Sequence, residues 1–132
     1  MNDRLKYRSW HKPTKRLFEV YSFTPEYVYE YDEVNGVGVT PTNPAKIEDC
    51  VLEQCTGLKD RNGRLIYEGD LVKCKLSRNP GVIKWDQEKG AFLLIIPQKP
   101  LFKSSLEDVV EFDFKVIGNI HENKNLLEGK ND

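Results

Sequence analysis

The chain has little with which to hold a metal ion or build a nucleophilic site. Its two histidines, His11 and His121, are isolated in sequence, and its three cysteines, Cys50, Cys55 and Cys74, are odd in number and lack C-x-x-C spacing. Zinc-ribbon and redox classes are set aside on that count, leaving only ligands that converge from distant positions, and reduced, half-buried thiols are the expectation. No apolar run approaches the length that spans a bilayer, and Met1-Asn2-Asp3-Arg4 lacks the apolar core of a signal peptide, so a cytoplasmic protein without membrane contact is expected. Gly-rich phosphate loops, nucleophile elbows and zinc-helix motifs are missing, as are repeats and low-complexity tracts. Such absences argue only weakly against catalysis, because triads are assembled by geometry. They leave no residue set that points to a catalytic centre, a metal or a cofactor.

What is present describes an ordinary globule. The 132 residues carry 31% charged and 39% hydrophobic side chains with a mean hydropathy of −0.59, which suits one folded domain with an adequate core. The net charge of −1 hides alternation. Residues 1–16 hold six basic side chains against Asp3, and residues 24–55 hold seven acids against Lys46. Residues 59–103 hold ten basic side chains against five acids, and residues 107–132 hold seven acids against three lysines. Blocks of alternating sign complement one another within a fold or between subunits, whereas a nucleic-acid groove wants a net basic domain.

The most tightly prescribed stretch runs from Thr56 to Val72. Asp60-Arg61-Asn62-Gly63 ends in the dipeptide that most readily supplies the positive φ angles of a tight turn. Leu65-Ile66-Tyr67 then offers apolar surface to a core. Glu68-Gly69-Asp70 turns the chain again, with a glycine between two acids at a strand entrance marking a sharp bend or bulge. The residues that set this backbone are Gly57, Asn62, Gly63, Tyr67, Glu68, Gly69 and Asp70.

Leu58-Lys59-Asp60-Arg61-Asn62-Gly63 followed by Ile66-Tyr67-Glu68-Gly69-Asp70-Leu71-Val72 closely resembles the central signature of the YopX family of phage and prophage proteins. Tyr7-Arg8-Ser9-Trp10 resembles the family's opening strand, and Val116-Ile117-Gly118-Asn119-Ile120-His121-Glu122-Asn123 with Leu126-Leu127 its closing one. The sequence departs from the pattern at His11, where an acid often follows the Trp, and at Cys55, where an aromatic is common before Thr-Gly. The resemblance implies a small, mainly β protein encoded by a phage or prophage and residing in the cytoplasm of a bacterial host. It implies no reaction, since the family is largely uncharacterised.

Elsewhere the pattern favours short strands. Period-two alternation over Arg4–Trp10 and the run Leu17–Phe23, separated by Lys12-Pro13-Thr14-Lys15, predict a hairpin. Tyr27-Val28-Tyr29-Glu30-Tyr31 predicts a strand with its tyrosines on one face, a core or subunit contact more than a ligand platform. Ile47–Cys55 predicts a brief turn or helix and then a strand from Val51. Asn79-Pro80-Gly81 is taken as a turn, and Ala91–Ile96 as a strand buried on both faces or at an interface. Ser104-Ser105-Leu106-Glu107 has capping-box spacing, Phe112–Ile120 predicts a last strand, and Leu126-Leu127 a helical turn in a polar tail. The fold class predicted is mainly β: a small antiparallel SH3-like barrel or curled sheet, with an N-terminal hairpin extension and one or two short helical turns. One domain is expected over 1–132, with a hairpin part (1–55), a barrel-like part (56–122) and a polar tail (123–132).

Three functions compete. The first is a non-enzymatic accessory protein that self-associates through its apolar strand and complementary charge blocks and binds a host or phage protein. The second is a nucleic-acid-binding module in which Arg8, Trp10, Lys12, Arg64, Lys84 and Trp85 set cations beside flat rings; buried tryptophans covered by Arg and Lys stems explain the same residues. The third is an enzyme with an intersubunit site using Glu68, Asp70 or His121. Asp60, Asn62 and Gly63 resemble a fragment of a calcium loop but lack its other ligands, so the turn reading is preferred.

Overall fold

The computed structural model describes residues 6–30, 33–34, 37–38, 44–75, 77–97, 103–106 and 113–128. The chain divides into two compact units, Met1–Cys55 and Thr56–Asp132.

The first unit is one antiparallel sheet and a small hairpin. Strands β1 (Tyr7–His11) and β2 (Arg16–Phe23) form the predicted hairpin, in register Arg8 with Glu19 and Trp10 with Leu17. Strand β3 (Tyr27–Glu30) follows, then the two-residue strands β4 (Glu33–Val34), β5 (Val37–Gly38) and β6 (Ala45–Lys46). Strand β7 (Cys50–Lys59) contributes Cys50–Cys55 here, giving the order β6-β3-β2-β1-β7, while β4 pairs with β5 alone. The predicted turn before β7 is a 3₁₀ turn over Ile47–Asp49. Trp10, Phe18 and Val28 are the buried apolar side chains of β1, β2 and β3. In β3 it is therefore Val28 that faces inward, with Tyr27 on the exposed side.

In the second unit the end of β7 bonds β8 (Leu65–Tyr67), and an open five-stranded antiparallel sheet has the order β12-β11-β10-β9-β13. These strands are β9 (Asp70–Cys74), β10 (Ser77–Asp86), β11 (Ala91–Ile95), β12 (Lys103–Ser105) and β13 (Lys115–Asn119). The mainly β class holds, but closing a barrel requires the two edge strands to pair, and among the described residues β12 and β13 do not. A curled open sheet is the form taken. Its core is Ile66, Val72, Ile83, Leu94, Ile96, Leu106, Phe114 and Val116. The apolar run Ala91–Ile96 gives Leu94 and Ile96 to this core and packs Phe92 against it, and Leu93 is buried as well.

One local expectation is corrected. Asn79-Pro80-Gly81 is not a turn: β10 runs through it, with its register against β9 shifting between Ser77 and Gly81. Proline, lacking an N–H, sits at that irregularity without breaking a ladder bond. Gly81 is there for close approach, because a Cβ would lie 2.5 Å from Leu94 Cδ1 and 3.0 Å from the Ile95 carbonyl oxygen. Ser104 and Ser105 pair with Leu94 and Leu93 in β12, and helical backbone begins at Leu106, directly after them, where the capping-box spacing predicts a helical turn; Glu107 and Phe112 lie outside the described residues. The last strand and the helical turn occur as predicted, the latter as a 3₁₀ turn over Lys124–Glu128.

Candidate functional site

The central motif is a clamp. Asp60 Oδ1 accepts hydrogen bonds from the backbone N–H groups of Asn62 and Arg64, both at 2.9 Å, and its Oδ2 accepts from Val116 N at 3.0 Å. One buried carboxylate thus shapes the Asn62-Gly63 turn and fastens it to β13. Burial alone would raise the Asp60 pKa, but the donors Val116, Arg64 and Asn62 and the charge of Arg64 outweigh it and hold the group below its ordinary 3.8. Gly57, Gly63 and Gly69 all carry positive φ, at 84°, 82° and 88°. At Gly69 the need is plainest: its N–H donates to the Ile83 carbonyl and its own carbonyl accepts from Ile120 N, so the bend is bonded to β10 and to the residue that follows β13.

The same geometry gives Asp70 its role. It is wholly buried and accepts from Tyr67 N at 2.8 Å, closing the Tyr67–Asp70 turn. Glu68 is half-buried, and the His121 backbone N–H donates to Asn119 Oδ1 at 2.9 Å. Neither of two sizeable cavities, one in each unit, is lined by Glu68, Asp70 or His121.

The residues proposed for nucleic-acid contact fall into two sets. Arg8, Trp10 and Lys12 are in the first unit, and Arg64, Lys84 and Trp85 in the second. Arg8 is buried and its Nε donates to Glu53 Oε1 at 2.9 Å, its register partner on β7. Trp10 is buried, while Lys12 is exposed in the turn after β1 with its N–H bonded to the Asp49 carbonyl. Arg64 and Lys84 are exposed. Trp85 is partly exposed, packs edge-on against Phe92 with centroids 4.9 Å apart, and donates from Nε1 to Gln87 Oε1. Lys84 and Trp85 are sequence neighbours on one strand and so point to opposite faces. The structure therefore leaves Arg8 and Trp10 in the interior.

The first unit offers two further features, of which the sequence pattern singled out only Tyr27. One is a cavity of about 510 Å³ whose lining includes His11, Arg16, Glu30, Lys46 and Asp49. Across it Arg16 makes a bidentate pair with Glu30 and lies 5.1 Å over the Phe18 ring. The hydrogen bond from Arg16 holds the Glu30 carboxyl below its ordinary 4.5, against the upward pull of burial. Because both side chains are substantially exposed, Arg16→Ala is expected to change stability by less than about 1 kcal/mol, as urea titration would read.

The other feature is the β2–β3 hairpin tip. Tyr21, Phe23 and Tyr27 are 48%, 45% and 36% exposed, and Tyr7 packs edge-on against Phe23 with centroids 5.6 Å apart. Thr24 makes the tip rigid: its Oγ1 accepts from Glu26 N and Tyr27 N, and its N–H donates to the Tyr27 carbonyl at 2.8 Å. Pro25 presets the turn dihedral between them. Tyr31, the third tyrosine of the sequence pattern, lies outside the described residues.

An N-terminal sheet, a curled C-terminal sheet and an aspartate-clamped turn define a class of small two-unit β proteins. The pattern of the family described as YopX protein matches residues 6–128, and the chain belongs to that family. Among solved structures, it is similar to protein EF1440 from Enterococcus faecalis, with TM-score 0.64 and 24% identity over 92% of this chain and 96% of that one. It is also similar to protein yopX from Bacillus subtilis, with TM-score 0.52 and 17% identity over 96% of this chain and 98% of that one. At those identities the likeness establishes the fold. No curated protein matches the chain.

Proposed function

We propose that the chain is a non-enzymatic phage accessory protein whose β-domain associates with a second copy of itself and with a host or phage protein. The observation that carries this reading is the rigid aromatic hairpin, where Tyr21, Phe23 and Tyr27 stand exposed around a turn pinned by Thr24. Aromatic rings held in place give large contact area at low entropic cost, which is why they are enriched at the centres of protein interfaces. We place the self-association surface at this hairpin and not at the apolar strand β11, which gives Leu94 to the core of its own unit and packs Phe92 against it.

Light scattering across the micromolar range tests it. Wild type is expected to associate, and the double variant Tyr21→Ser, Phe23→Ser to run as a monomer with its thermal midpoint within about 3 °C of wild type, because exposed side chains carry little stability. A monomeric wild type removes self-association from the proposal. Unchanged association in the double variant removes the hairpin.

A further inference from the structure

We infer that the cavity of the second unit binds a small phosphate-bearing molecule with two or more negative charges, through Lys73, Lys75 and Lys115. This site goes beyond the protein-binding reading, and it is built from the second unit's own residues.

The cavity, about 600 Å³, lies between β9, β13 and the 3₁₀ turn that ends the described chain, and its size falls in the range of small-molecule sites. Its charge is one-sided. Arg61 and Asp113 cancel each other in an ion pair of 3.2 Å. Three ammonium groups remain, and among the described residues no carboxylate pairs with Lys73, Lys75 or Lys115.

The register makes this arrangement costly to the empty protein. Lys115 is directly opposite Lys73 across the antiparallel β9–β13 pair, both side chains are exposed, and Lys75 follows two residues on. Like charges directly opposite on a sheet destabilise it. An anion seated between them turns that repulsion into binding, and lysine is a point-charge partner suited to phosphate. Ile117, Leu126 and Cys74 supply an apolar wall for the organic part of a ligand. Among the described residues no aromatic ring lines the cavity, so they offer none of the stacking on which a bound single strand relies, and a nucleotide-sized molecule fits better than a polymer.

The clamp also explains how the cavity is shaped. Arg61 N–H donates to the Phe114 carbonyl at 2.8 Å while Asp60 holds Val116, so the turn that carries Arg61 is fixed against the strand that carries Lys115.

Thermal unfolding and calorimetry with inorganic phosphate, pyrophosphate, ATP and a single-stranded oligonucleotide provide the test, on wild type, Lys73→Gln with Lys115→Gln, and Lys84→Gln as a basic control from β10. Pyrophosphate or ATP at saturation is expected to raise the wild-type midpoint by about 2–5 °C, the same in Lys84→Gln, and not in the double variant. Without ligand, the double variant should melt at or above wild type, as relief of like-charge repulsion requires. ATP binding without pyrophosphate binding points to an organic phosphate; pyrophosphate alone points to an inorganic one, and either supports the site. The inference is overturned if no probe binds wild type, if the double variant responds like wild type, or if only the oligonucleotide binds.

Discussion

Asp60→Ala is expected to cost about 3–5 kcal/mol in the second unit, since three backbone N–H groups lose a charged acceptor together and two of them belong to the turn that starts β8. The chain has two tryptophans, one in each unit, so Trp85 fluorescence in a Trp10→Phe background reads the second unit alone during urea unfolding. The effect carries a pH signature. Because the folded pKa of Asp60 lies below its ordinary 3.8, the group stabilises the native state fully above that value, and the contribution is lost as pH falls from there through the folded pKa. Asp60→Ala should therefore be destabilised near neutrality and show a smaller further loss than wild type in that acid window. A cost under 1 kcal/mol would mean that water or other groups satisfy the turn.

The second large effect is expected at Arg8. Arg8→Ala removes the buried Arg8–Glu53 ion pair from the first unit and should cost about 3–5 kcal/mol, read from Trp10 in a Trp85→Phe background. Replacing both partners, as Arg8→Met with Glu53→Leu, should restore stability to within about 1 kcal/mol of wild type or exceed it, because a well-packed apolar pair avoids the cost of burying charge. If Arg8→Ala is instead nearly neutral, the guanidinium is solvated, and Arg8 returns to the set of surface cations available for phosphate contact.

These two sites show what a sequence discloses and what it withholds. The Asn62-Gly63 turn, the bend at Gly69 and the 3₁₀ turn before β7 were legible because each depends on backbone preferences within a few residues. Arg8 was not legible as a core residue. Its partner lies 45 positions away, and only the β1–β7 register makes the pair. Pro80 and Gly81 looked like a turn because nothing local reveals that Leu94 passes close enough to demand a glycine. The lysines at 73 and 115 likewise look like ordinary surface charge until the β9–β13 register sets them face to face. The tyrosine strand was recognised, but which of its faces turns inward depended on Val28 meeting a core that composition does not specify.

The central motif therefore holds the fold of the second unit, while the proposed association and ligand binding rest on other side chains, Tyr21, Phe23 and Tyr27 in the first unit and Lys73, Lys75 and Lys115 in the second. This division of labour makes Asp60 the pivot. Its carboxyl carbon can be followed by NMR through an acid titration of the intact protein. A midpoint below 3.8 is predicted, with the amide signals of Asn62, Arg64 and Val116 moving in the same titration. A midpoint at or above that value, with those amides unmoved, would show a carboxylate free of the turn and contradict the account.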